Sequence, residues 1–187
     1  MQNKLRRHIE EIIPLTDNEF AFVLSHFSSR KAKKREFLIQ EGENVKHVYF
    51  VVSGLLKLIY RDELGREFIV SFAMEDWWES DYLAFYAKTN ATMSLQCLED
   101  TEAYCITLES YHQLCAGLQK MEHFFLEKAN RGHIGSQQRI IAFLTLSAKE
   151  RYEHLLKRYP LLLQRVPKTL IASYLGVSRE TLSRIFT

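Results

Sequence analysis

The sequence predicts an α+β fold: a β-sandwich or barrel at the front, one long helix, then a C-terminal helix–turn–helix. Three observations predict it. Between residues 37 and 106, short β-type runs recur about every 8–12 residues between turn signals. After Thr107 the apolar period lengthens to 3.6. Residues 167–187 then carry a helix start, a glycine turn and a second helix start in order.

Composition fits that fold. With 187 residues, 47% hydrophobic and 26% charged, the chain has material for one large domain or two small ones and is not a disordered polymer. Its 7 glycines and 3 prolines exclude a collagen-like architecture. No run approaches the roughly 18 apolar residues of a membrane span, so no membrane partner is expected. The opening MQNKLRRHIEEII lacks the apolar core of a secretory signal. Three cysteines, Cys97, Cys105 and Cys115, form no close pair, which favours reduced thiols and a cytoplasmic setting. Charge is split: residues 1–116 carry −5 and residues 117–187 carry +7. A basic rear half points to a polyanionic partner.

The elements follow in order. Thr16-Asp17-Asn18-Glu19 reads as a capping box, with Phe20, Val23, Leu24 and Phe27 at helical spacing behind it. Arg30–Arg35 is a basic run without interleaved aromatics, so it reads as a solvated connector rather than a nucleic-acid patch. Strands are expected at Phe37–Ile39, Val48–Val52, Leu55–Tyr60, Phe68–Phe72, Thr92–Leu98 and Ala103–Ile106, separated by Glu41-Gly42-Glu43, Ser53-Gly54 and Asp62–Gly65. The Val48–Val52 and Leu55–Tyr60 runs are continuous enough for burial on both faces.

Residues 118–146 carry Leu118, Met121, Phe125, Ala129, Gly132, Ser136, Ile140 and Phe143 three or four apart. That is one helix of about eight turns, long enough to pair with a partner helix. Gly132 and Gly135 within it mark either a close approach of two backbones or a ligand, or a tolerated kink. Ser147-Ala148-Lys149-Glu150 is a second capping box, and the helix it starts should stop at Pro160.

The last window is the most specific. Lys168–Tyr174 makes a short helix with Ile171 and Leu175 inward, and Ala172 is small where a second helix must cross. Gly176 suits a left-handed turn, and Ser178 can cap the next helix. With Leu182, Ile185 and Phe186 inward, Arg179, Glu180, Ser183 and Arg184 point outward. Arginine can donate two parallel bonds to guanine, and glutamate can accept from cytosine. Lys168, Thr169, Ser178 and Thr181 lie where such motifs hold DNA phosphates. Double-stranded DNA is thus the expected partner. No P-loop, H-E-x-x-H, G-x-S-x-G or G-x-G-x-x-G occurs, so an enzyme is not expected.

Taken together, the β-rich front, long helix and Gly176–Arg184 (GVSRETLSR) resemble the Crp/Fnr family of bacterial transcription regulators, as do Glu41-Gly42-Glu43 and Val52-Ser53-Gly54. The resemblance implies a cyclic-nucleotide-binding-like β-roll (a jelly roll) as effector domain over 1–116, a dimerisation helix over 117–146 and a DNA-binding helix–turn–helix domain over 147–187. It implies a homodimer through helix 118–146 on a near-palindromic site, with RNA polymerase as a further partner. Arg179, Glu180 and Arg184 match base-reading positions of the cyclic-AMP receptor branch, and Ser183 one of the Fnr branch.

The effector half departs from that pattern. The family cassette carries Gly-Glu and, ten residues later, Arg-Ser or Arg-Thr. Here Trp78-Glu79-Ser80-Asp81 and Ala91-Thr92 stand in those places. Ala91 replaces the arginine that pairs with the cyclic phosphate, and Lys88 falls three residues early, so tight binding of cyclic AMP is not expected. Ser80, Asp81, Thr92 and Ser136 either line a pocket for another small-molecule effector or are polar core residues. Three scattered cysteines do not make an iron–sulfur site, His112 and Cys115 form only a single H-x-x-C pair, and no cofactor or metal is predicted. Two further readings stay open: a ligand-binding signalling module acting through a protein partner, and a regulator that needs no effector.

Overall fold

The computed structural model describes residues 1–185, Ile185 by its backbone only. Two helices open the chain, α1 (Gln2–Glu10) and α2 (Asp17–Ser25). Eight strands follow: β1 (Ser28–Ala32), β2 (Phe37–Ile39), β3 (Val48–Ser53), β4 (Leu56–Arg61), β5 (Glu67–Ala73), β6 (Trp78–Glu79), β7 (Met93–Cys97) and β8 (Thr101–Ile106). Helix α3 (Tyr82–Ala87) lies between β6 and β7. Then come α4 (Leu108–Gly117), α5 (Lys120–Thr145), α6 (Ala148–Arg158), α7 (Pro160–Arg165), α8 (Lys168–Tyr174) and α9 (Arg179–Ile185).

The strands form two four-stranded antiparallel sheets, ordered β1-β8-β3-β6 and β2-β7-β4-β5. This is the expected jelly roll. Its interior joins Phe50, Val51, Leu56, Leu58, Leu95, Ala103 and Ile106 to Leu5 and Ile9 of α1, Leu114 of α4, and Met121 and Phe124 of α5. His8 is sealed in there too. Trp78 Nε1 donates to its Nε2 at 3.0 Å, and burial holds its imidazole down at about 3, so it stays neutral.

A second core lies on the other face of β4 and β5. Leu55, Ile59, Ile69 and Phe72 pack there against Leu155, Leu162, Val166, Ile171, Ala172, Leu175 and Leu182. Strand β4 is therefore buried on both faces, as its continuous apolar run predicts. Each large side chain so buried contributes about 1.5–3 kcal/mol, and together they clamp the C-terminal helices onto the roll.

Several expectations are corrected. The Arg30–Arg35 run is not a connector throughout: Arg30 and Lys31 lie in edge strand β1, paired with Ala103 and Glu102 of β8. Their exposed charges are bridged, Arg30 to Glu36 and Lys31 to Glu102 at 2.6 Å. Pro160 ends α6 but also begins α7, because its missing N–H costs nothing in a first turn. The inward residues expected at Ile185 and Phe186 lie outside the described side chains.

Helix α5 spans 26 residues, about 39 Å at 1.5 Å per residue. Its apolar stripe divides. Met121 and Phe124 are buried against the roll, whereas Leu126, Ile134, Ile140, Ile141 and Leu144 are exposed. Gly132 and Gly135 interrupt nothing, and a Cβ at either would meet open space.

Candidate nucleic-acid interface and effector cassette

The turn between α8 and α9 is fixed by backbone chemistry. Gly176 has φ +69°, the Gly176 N–H donates to the Ser173 carbonyl, and the Val177 N–H donates to the Ala172 carbonyl, each at 3.0 Å. That double bond pattern ends α8 and needs the left-handed residue that glycine supplies. Ser178 then caps α9, its Oγ accepting from the Thr181 N–H at 3.1 Å. Ile171, Ala172, Leu175 and Leu182 are buried beneath the pair.

The opposite face of α9 presents Arg179, Glu180, Ser183 and Arg184, all exposed. These are the four residues expected to point outward. The Glu180 carboxyl is held below its ordinary range by its own backbone N–H and by the Ser178 hydroxyl, so it is an ionised acceptor. Lys168 and Thr169 are exposed at the start of α8, and Ser178 is exposed at the turn. Thr181 is half-buried, its Oγ1 3.1 Å from the Ser178 Oγ.

Three arginines that the sequence reading did not single out brace this unit. Arg139 of α5 donates to the Val70, Ile69 and Tyr174 carbonyls at 2.6, 3.3 and 3.1 Å and lies 4.3 Å from the Tyr174 ring centre. Arg151 of α6 donates to the Leu146 and Leu175 carbonyls at 2.8 and 3.0 Å, where α5 and α8 end. A guanidinium is favoured at such helix ends. Arg165 of α7 binds Glu75, Glu99 and the Gly54 carbonyl. The available signal was their placement: Arg165 follows Leu161-Leu162-Leu163-Gln164, where a lone cation needs partners.

The cassette sits at the start of α3. Asp81 is fully buried. Its Oδ1 accepts from the Ala84 N–H at 3.2 Å, and its Oδ2 accepts from the Thr92 N–H, Thr92 Oγ1 and Met93 N–H at 2.8, 3.1 and 3.1 Å. Ser80 is buried and its hydroxyl donates to the His47 carbonyl. The structure thus brings Asp81 and Thr92 into direct contact. Ser136 is exposed on α5, and its hydroxyl donates to the Gly132 carbonyl one turn back.

Ala91 is buried where the family pattern has arginine. Lys88 is exposed at the far end of α3, about 10 Å along the helix from Asp81. Glu79, facing Ser71 Oγ at 2.5 Å, is buried, and burial pushes its carboxyl up to about 7. The cassette therefore holds two buried acids. Cys97, Cys105 and Cys115 are each buried, as expected of small apolar side chains. Among the described residues, no cluster of three or more His, Cys, Asp or Glu could hold a metal, and no helix is long and apolar enough to cross a membrane.

Residues 29–117 match the family described as cyclic nucleotide-binding domain. The transcriptional activator protein Anr of Pseudomonas protegens is 27% identical over 169 residues, covering 84% of this chain and 68% of its own length. Over most of its length the chain is thus similar to a bacterial transcription regulator. The cAMP-activated global transcriptional regulator CRP of Salmonella typhimurium is 34% identical over 59 residues, 32% of this chain and 28% of its own. The fold is that of the c-di-GMP responsive global regulator CLP of Xanthomonas campestris. There the TM-score is 0.73 at 17% identity, over 91% of this chain and 90% of that one. FixK2 of Bradyrhizobium japonicum matches with a TM-score of 0.72 at 16% identity, over 86% and 82% of the two chains.

Proposed function

We propose that this chain is a sequence-specific DNA-binding transcription regulator, homodimeric on a near-palindromic site, whose cassette does not take cyclic AMP tightly. The observation that carries the reading is the exposed Arg179, Glu180, Ser183 and Arg184 face on a helix capped by Ser178 and braced from behind. Those four side chains read base edges in the major groove. Lys168, Thr169, Ser178 and Thr181 hold the flanking phosphates.

The roll (1–116) is the effector domain, 117–146 the dimer helix and 147–187 the DNA-binding domain. The exposed Leu126, Ile134, Ile140, Ile141 and Leu144 of α5 form the seam with the second copy. Two α9 helices then enter successive major grooves about 34 Å apart. The protein works in the cytoplasm, contacts RNA polymerase and catalyses no reaction. Saturation of Asp81 by the cassette's own donors favours a regulator that needs no nucleotide.

The test is selection from a randomised DNA pool with and without cyclic AMP, followed by binding of Arg179→Ala and Arg184→Ala to the selected site. A palindromic motif unaffected by the nucleotide is expected. Each variant should lose about 1–3 kcal/mol, with relaxed base preference. Unchanged specific binding by both variants overturns the assigned readout. Absence of any salt-dependent DNA affinity overturns the DNA reading in favour of a module acting through a protein partner.

A further inference from the structure

The geometry of the cassette singles out one oxygen. Asp81 Oδ2 receives three donors from a single short segment: the Thr92 N–H, the Thr92 hydroxyl and the Met93 N–H. Successive backbone N–H groups with a hydroxyl beside them make an anion-binding concavity, the arrangement that suits a phosphate oxygen. All the donors are neutral, and Asp81 forms no ion pair among the described residues. The negative charge in this concavity belongs to the protein itself. Thr92 is exposed, so the concavity borders solvent.

We infer that Asp81 is the residue that decides what the cassette accepts. Its carboxylate is a built-in anion that fills the Thr92 and Met93 donors, excludes phosphate-bearing ligands and holds the segment after α3 closed without one. A phosphate would compete for the same three donors and would lie beside a fixed like charge that it cannot displace. With the carboxylate removed, the same donors take a phosphate oxygen. This inference deepens the functional reading above and rests on its cassette clause.

The experiment uses the full chain as wild type, Asp81→Ala and Asp81→Asn. Thermal unfolding is followed against inorganic phosphate, then cyclic AMP, at constant ionic strength set with chloride, with the Thr92 and Met93 amide resonances monitored. The wild type should show neither a phosphate-specific rise in Tm nor movement of those amides. Asp81→Ala should melt lower and regain about 3–5 °C at a phosphate concentration tenfold above its Kd. Asp81→Asn keeps the shape and loses the charge, and should show a smaller phosphate response. If Asp81→Ala does not fold, Asp81→Asn decides. Variants indifferent to phosphate overturn this inference alone and leave the DNA reading standing. A wild type whose Thr92 and Met93 amides move with cyclic AMP overturns both this inference and the cassette clause.

Discussion

The Arg165 guanidinium grips the Glu75 carboxylate with two bonds, 2.7 and 3.1 Å long, and so ties the last turn of α7 to the turn between β5 and β6. Arg165 stands three residues before α8, so the grip fixes where the helix–turn–helix begins. Burial alone would raise the Glu75 carboxyl; the guanidinium, together with the Glu75 and Gly54 N–H groups, overrides it and leaves it below its ordinary range. The same guanidinium also binds Glu99 and the Gly54 carbonyl. Because the ion pairs are partly exposed, the network's worth is moderate. Arg165→Ala should cost about 1–3 kcal/mol and leave two acids facing each other without a cation. Hydrogen exchange should show the loss as faster opening of α7 and α8 than of β3 and β8. Uniform acceleration across the chain would mean that Arg165 supports global stability rather than docking.

Glu79 makes stability depend on pH. Its carboxyl is raised from 4.5 to about 7 by burial, against the lowering effect of Ser71 and the Ser80 N–H. Between these values the native state binds a proton that the unfolded chain does not. Stability from this group is therefore complete below about pH 4.5 and is lost as pH rises through about 7. Glu79→Gln should be more stable than the wild type at pH 8, by on the order of 2–3 kcal/mol, with the difference shrinking toward pH 4.5. Paired denaturant titrations across that range measure it. A difference independent of pH would show that Glu79 is not the group that titrates.

Two glycines with positive φ should respond unequally to alanine. At Gly54, with φ +107°, a Cβ would lie 2.4 Å from Thr101 Oγ1 and 2.7 Å from the Asp100 carbonyl oxygen. Backbone cannot move aside there, so Gly54→Ala should destabilise by more than about 3 kcal/mol. At Gly176, with φ +69°, the nearest atom is Phe143 Cε1 at 2.9 Å, on a side chain that can turn. Gly176→Ala should cost about 1–2 kcal/mol, mostly for the left-handed backbone. Equal midpoint shifts for the two would mean that the Gly54 turn yields.

The strands were legible because their turns are punctuated. Gly42, Gly54 and Gly65 all take positive φ where the sequence places breaks. The α8–α9 unit was legible for the same reason, since Gly176 and Ser178 mark its turn locally. Edge strand β1 was not, because its solvent-facing charges look like a connector's and edges use such charges to stay unpaired. Helix α7 was hidden behind Pro160, which ends one helix and starts the next. Asp81 was readable as an acid but not as the cassette's own anion, because that depends on Thr92 and Met93 meeting it across α3 and the loop that follows. The three bracing arginines bind carbonyls mostly far along the chain, which no local pattern encodes.

Gly132 and Gly135 separate the two uses of α5. Within this chain a Cβ at either position meets nothing, and each glycine weakens the helix by about 0.5–1 kcal/mol relative to alanine. The double Gly132→Ala, Gly135→Ala variant should therefore be at least as stable as the wild type when measured as separate chains. At 100° per residue both glycines lie about 80–180° round the helix from the exposed Ile134, Ile140, Ile141 and Leu144, so if those four meet a second α5 the added methyl groups stay clear of that seam. Sedimentation equilibrium should then show the double variant associating as the wild type does, and Ile141→Asp remaining monomeric with its fold intact. Weaker association of the double variant would instead place the seam on the glycine side of α5.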